Sequence, residues 1–146
     1  MLFRSNQMVG DGLMAIFGAP KELDDNCGSA VQAALDMIEL IELFNAQRVA
    51  EGRPPVHIGI GIATGDMIAG YTGTQQRATY TCIGDAVNIA ARMEAHTKVA
   101  VRPILIDGST RAELAERFAL EPLGEVLFKG KAAAVHVYAV QVPAPG

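Results

Sequence analysis

Three short stretches of this chain carry residues that could do chemistry. The first is Tyr80-Thr81-Cys82-Ile83-Gly84-Asp85-Ala86-Val87-Asn88-Ile89-Ala90-Ala91-Arg92. A β-branched and aromatic run stops at Gly84-Asp85 and becomes a helical pattern. Asn88 and Arg92 stand four apart, so they share one face of that helix, while Val87, Ala90 and Ala91 are expected to turn toward a core. An amide and a guanidinium aimed together from a rigid element suit an anionic group. The second stretch is Gly10-Asp11-Gly12, a tight turn between two apolar runs. Its carboxylate suits a hard cation such as Mg²⁺ or Mn²⁺. The third is the basic turn Lys129-Gly130-Lys131. Each also has a plain structural reading: a solvated helix face, an aspartate of the kind that turns favour anyway, and a solvated basic loop.

The elements that must position these residues can be read from the pattern. Asn6 to Phe17 reads as a hairpin around the Gly-Asp-Gly turn. Asp24, Asp25 or Asn26 can cap a long helix running to about Arg48. Val31, Ala34, Leu35, Ile38, Ile41 and either Leu43 or Phe44 give that helix a stripe near period 3.6. Val56 to Ile62 alternates as a strand, and Gly59 and Gly61 predict that a backbone or a ligand packs close to that face. Met67 to Tyr71 and Tyr80 to Ile83 read as strands, and about Asp85 to His96 as a helix. Ile104-Leu105-Ile106 reads as a buried strand. Ser109 to Arg117 reads as a short helix with Ser109 as its cap. Glu125 to Phe128 and Val135 to Val142 form a closing hairpin around the basic turn. This order predicts an α+β fold, helices packed on a mainly antiparallel sheet.

Composition sets the outer bounds. The 146 residues suit one domain, and half of them are apolar. A net charge of −4 gives no broad attraction to nucleic acid or acidic membranes, so an anionic substrate must rely on local Arg, Lys and metal. No apolar run approaches the roughly 18–20 residues of a membrane span. Met1-Leu2-Phe3-Arg4 lacks the apolar core of a signal peptide, and the expected setting is cytoplasmic. Cys27 and Cys82 form neither a metal spacing nor a disulfide framework. Each reads as a small buried hydrophobe.

The order Tyr-Thr-x-Ile-Gly-Asp-Ala-Val-Asn-x-Ala-Ala-Arg-Met-Glu, from Tyr80 to Glu94, resembles the core motif of class III nucleotidyl cyclases. Val9 to Pro20 is similar to the family's metal-binding hairpin, Ile58 to Gly65 to its following core strand, and Ala69 to Thr74 with Arg77 to the segment leading to a dimer-forming arm. Phe128 to Lys131 is similar to its late basic loop. The resemblance implies a ferredoxin-like core and conversion of ATP, with GTP as the alternative, to a 3′,5′-cyclic nucleotide and pyrophosphate. It implies two-metal catalysis with Mg²⁺ or Mn²⁺ in a homodimer, under an upstream sensor or regulatory domain. It implies that Asn88 orients the ribose, Arg92 stabilises charge on the triphosphate, and Asp11 holds metal. Thr81 matches the purine-reading position. Lys131, with Lys129 beside it, matches the triphosphate contact, and Arg77 is a further phosphate candidate.

Two departures qualify the resemblance. The family's other metal aspartate lies on an upstream strand in a Phe-x-Asp-Ile-x-x-Phe type of motif, which this chain lacks, along with the helices that follow it. Residues 1–142 are therefore expected to be a partial cyclase domain and residues 143–146 a disordered tail. The family's purine-selecting lysine is replaced by Gln7. The alternative expectation is a weak or inactive cyclase-like regulatory or dimerisation module.

Overall fold

A central four-stranded sheet holds the molecule together, with an apolar layer on each face. The structure is a computed structural model that describes residues 4–9, 12–18, 22–73 and 79–143. In chain order the elements are β1 (Arg4–Val9), β2 (Gly12–Ile16), α1 (Asn26–Ala50), β3 (Ile60–Ile62), β4 (Ile68–Thr72), β5 (Thr79–Ile83), α2 (Asp85–Ala100), β6 (Ile104–Asp107), α3 (Gly108–Leu114), β7 (Leu120–Val126) and β8 (Val135–Val140). The central sheet has the order β3-β6-β8-β7. Only β3 and β6 run parallel; the other two pairings are antiparallel. The hairpins β1-β2 and β4-β5 form separate two-stranded ladders. This is the expected α+β arrangement with a mainly antiparallel sheet.

Side-chain alternation along β6 divides the core into two layers. Ile104 and Ile106 join Cys27, Val31, Ala34 and Ile38 of α1 and Leu114 of α3. Leu105 points the other way, to Met93 of α2, Phe128, Val137 and Ala139. All four β6 residues are buried. A strand covered on both faces has little room for polar positions, which is why Ile104 to Ile106 read as an unbroken apolar run before Asp107 turns to cap the next helix.

Several element ends differ from the sequence expectation, each for a local reason. The β3 ladder begins at Ile60 rather than Val56. Asn45 holds Val56 instead: its Nδ2 donates to the Val56 carbonyl and its Oδ1 accepts from the Val56 N–H, both at 2.7 Å. That segment is thereby tied to α1. The buried stripe of α1 ends at Ile38, and Leu43 and Phe44 are exposed. The helix is about 37 Å long, whereas the longest sheet strand spans about 23 Å, so the helix overruns its support. Asp25 is the cap of α1, its carboxylate accepting from the Gly28 N–H at 3.1 Å. The cap of α3 is Asp107, not Ser109. Its Oδ1 accepts from the Thr110 N–H at 2.9 Å, because β6 delivers Asp107 one residue before the helix opens. Helix α2 continues past His96 to Ala100, and Val101 caps it in the left-handed region. Its packing face is Ala86, Ala90, Met93 and Thr97; Ala91, expected inside, is exposed. Among the described residues, no helix is long and apolar enough to cross a membrane.

Candidate functional site

The strand-to-helix motif folds as the sequence implies. Strand β5 pairs with β4 in register Ile68↔Ile83 through Thr72↔Thr79. Gly84 makes the junction, and its lack of a side chain is used: an ideal Cβ there would lie 3.0 Å from the Asp66 carbonyl and 3.1 Å from Met67 Cγ. Helix α2 then opens at Asp85, and Asn88 and Arg92 are both exposed on it. Among the described residues neither side chain is engaged in a hydrogen bond or ion pair, so both are available to a ligand.

What fixes the height of α2 above the sheet is a glycine contact. A Cβ on Gly61 would lie 2.2 Å from the Ala90 carbonyl oxygen, 2.6 Å from the Glu94 nitrogen and 3.0 Å from Met93 Cβ. A Cβ on Gly59 would meet Thr97 Oγ1 at 2.1 Å. The close-packed backbone predicted from these two glycines is α2 itself, and it is the segment that carries Asn88 and Arg92.

The β7–β8 connection lies along the same helix. Phe128 is buried against Met93 and meets His96 edge-to-face, ring centroids 5.5 Å apart. Gly130 adopts φ +85°, open to glycine at no steric cost, and its Cβ position lies 3.9 Å from Arg92 Nη2. The Lys131 N–H donates to the Phe128 carbonyl at 3.1 Å and closes the turn. Lys131 Nζ donates to Asp85 Oδ1 at the start of α2. Arg92 and Lys131 are thus brought to one patch from elements far apart in sequence, whereas Lys129 is simply exposed.

The other candidates divide. Gln7 stands on β1 opposite Met14, and Thr81 on β5 opposite Gly70, and these two strands approach each other; the side chains of both lie outside the described part of the structure. Asp11 and Arg77 lie outside the described residues, although the pairs on either side of the Asp11 turn, such as Val9↔Gly12, form the expected hairpin. Among the described residues, no group of three His, Cys, Asp or Glu side chains could hold a metal ion. The chemistry of Asp11 suits a hard cation, but the described residues by themselves do not make a site for one.

Two features are not visible in the sequence. One is the Asp85–Lys131 pair, whose members are 46 residues apart. The other is a polar chain across the α1–α3 layer. Thr110 Oγ1 donates to Asp107 Oδ1 at 2.6 Å and lies 2.7 Å from Thr64 Oγ1, which lies 3.3 Å from Cys27 Sγ. Cys27 is buried, as expected, and burial pushes its thiol pKa up, away from nucleophilic use. At the same N-terminal end of α1, Arg117 donates two hydrogen bonds to the Asp25 carboxylate, one of them 3.0 Å long. That pairing holds Asp25 below the usual carboxylate range and raises Arg117.

The site is thus a helix that opens on a Gly-Asp junction, carries an exposed Asn and Arg, and is crossed by a lysine turn. The family model for the adenylate and guanylate cyclase catalytic domain matches residues 5–141. The chain belongs to this family. It is 33% identical over 134 residues to adenylate cyclase 1 of Rhizobium meliloti, covering 92% of this chain and 20% of that protein. It is 36% identical over 143 residues to an adenylate cyclase of Anabaena cylindrica, covering 93% and 28%. The chain thus spans between a fifth and a third of these relatives. Its fold superimposes on the crystal structure of the adenylyl cyclase CyaB from P. aeruginosa with TM-score 0.85 at 28% identity, covering 97% of this chain and 73% of that one.

Proposed function

We propose that this chain is the substrate-handling part of a class III nucleotidyl cyclase that converts ATP to 3′,5′-cyclic AMP and pyrophosphate in the cytoplasm. In this reaction the ribose 3′-oxygen attacks the α-phosphorus and its hydroxyl proton passes to solvent water. The bond to the β-phosphate oxygen breaks, and pyrophosphate departs with the electron pair. Asn88 orients the ribose. Arg92 offsets the negative charge that grows on the phosphates, and a single preorganised donor of this kind is worth about 3–4 kcal/mol in comparable sites. Lys131, with Lys129 and Arg77 nearby in role, holds the terminal phosphates. Thr81 and Gln7 read the purine: Thr81 favours ATP, and an amide in place of lysine at Gln7 loosens the choice. The relatives described above are named adenylate cyclases, which supports ATP, although the family includes both specificities.

The observation that carries this reading is the Lys131 turn lying along a helix that presents Arg92 and an unengaged Asn88 and is held at backbone contact with the sheet. A divalent Mg²⁺ or Mn²⁺ held by Asp11 would lower the pKa of the attacking hydroxyl and neutralise phosphate charge. One carboxylate makes half of such a site. We read residues 1–142 as a partial domain, completed by a further strand bearing the second aspartate, in a homodimer whose two sites each combine the Asp11 side of one chain with the Asn88–Arg92 side of the other. The test is cyclic nucleotide and pyrophosphate production from ATP by the chain carried with its in-frame upstream sequence. Absence of turnover there, with Mn²⁺ supplied, would refute the enzyme reading.

A second reading, a regulatory or dimerisation module with little catalysis, draws on one observation. Among the described residues β3 is paired on one side only, to β6. A parallel strand with an open edge awaits a partner, and a module that docks through that edge needs no turnover. Nucleotide binding without cyclisation by the extended chain would favour it.

A further inference from the structure

The β7–β8 connection and α2 meet at three successive rungs that run in opposite directions. Phe128 sits at His96, Gly130 at Arg92, and Lys131 at Asp85. The first rung is apolar and buried, and the last is an ion pair. The Lys131 side chain is 22% exposed while that of Asp85 is 65% exposed. The lysine is therefore held in place by its surroundings, and the carboxylate is the half of the pair open to solvent. Arg92, one rung away, has no carboxylate partner among the described residues. The two cations of the patch are thus unequal: one is free and the other is neutralised by the first residue of the helix.

We propose that Asp85 is a built-in competitor for the phosphate-binding lysine. Lys131 exchanges the Asp85 carboxylate for the terminal phosphates as nucleotide enters, and Asp85 recaptures it as pyrophosphate leaves. This rests on the reading of Lys131 as a phosphate ligand. The chemistry is an exchange of one anionic partner for another, with no bond made or broken. Asp85 acts through Lys131 and on the local potential, so it is a positioning residue. Its exposure means that Asp85→Asn removes the charge without opening the core. It also removes a negative charge from beside the bound phosphates, where like charges repel.

The probe is inorganic pyrophosphate, titrated into the chain by calorimetry at low salt. Asp85→Asn should tighten binding about two- to fivefold, the range covered by exposed ion pairs. Lys131→Met should weaken binding and erase that gain, so the two substitutions are non-additive in a double-mutant cycle. Glu94→Gln, which removes an exposed carboxylate further along the same helix, should not tighten binding. The gain should shrink as salt screens the pair. Unchanged or weaker binding by Asp85→Asn, with Lys131→Met still weakened, overturns the competitor role and leaves the phosphate site standing. Equal tightening by Glu94→Gln overturns it in favour of a general charge effect. No pyrophosphate binding, or binding indifferent to Lys131→Met, overturns the site reading and this inference with it.

Discussion

Gly61→Ala is the substitution by which the architecture can be tested with the least chemistry. The new methyl would be placed 2.2 Å from the Ala90 carbonyl oxygen and 2.6 Å from the Glu94 nitrogen. Ordinary contact begins near 3.4 Å, so the shortfall is about 1.2 Å. Both obstructing atoms are helix backbone and cannot rotate aside. The relief must come from moving α2 or β3 by about 1 Å. Overpacking of this kind costs about 1–3 kcal/mol, which denaturant unfolding resolves. The displaced helix carries Asn88 and Arg92, and a misplacement of about 1 Å in a positioning element can lower turnover about 10²-fold. Gly59→Ala should be milder, because the nearest obstruction is the Thr97 hydroxyl at 2.1 Å, a side chain, and adding Thr97→Ala should recover part of the loss. Gly108→Ala is the control: its methyl would meet nothing closer than His136 Cβ at 3.5 Å, and it should be neutral within about 0.5 kcal/mol. The assays are urea unfolding and initial rates of cyclic nucleotide formation. Gly61→Ala with both values unchanged would refute the argument that glycine sets the height of α2.

Three further outcomes test the proposed function and the fold. Mixing an Asp11→Ala chain with an Arg92→Ala chain should restore part of the activity that each lacks alone, measured as cyclic nucleotide formed; no rescue would contradict a composite site. ATP should be preferred to GTP by no more than about tenfold, since one good hydrogen bond shifts preference by about 0.5–1.5 kcal/mol, and a GTP preference beyond about tenfold would show the reading of Thr81 to be wrong. Replacing Arg117 with Leu should lower stability at neutral pH, because Asp25 loses the partner that depresses its carboxyl. A depressed carboxylate contributes stability that is complete above the ordinary aspartate range and lost as pH falls below it. The gap between wild type and variant in unfolding midpoint should therefore close in acid, and a gap that persists there would assign the loss to packing.

Much of this site is legible in the sequence because it is local. The spacing of Asn88 and Arg92 needs only helix periodicity, and the glycines of β3 announce a close backbone without naming it. The Gly-Asp-Gly hairpin is likewise carried by turn chemistry. What cannot be read is anything decided across the chain. Lys131 finds Asp85 only because Phe128 seats the connection on Met93 and His96. The strand propensity of the segment from Val56 to Gly59 is overridden by two hydrogen bonds between Asn45 and Val56. Ser109 has the right chemistry to cap α3, but the end of β6 puts Asp107 there first. The stripe of α1 overruns its buried part because periodicity records an amphipathic face without recording where the sheet beneath it ends.

The central claim is that Arg92 acts on the charge of the transition state rather than on ground-state binding. The direct measurement is steady-state cyclisation of ATP by the chain with its in-frame upstream sequence, comparing wild type with Arg92→Ala. The account predicts that kcat falls by about 10²–10³ while KM for ATP changes little. Equal kcat values, or a loss confined to KM, would contradict it.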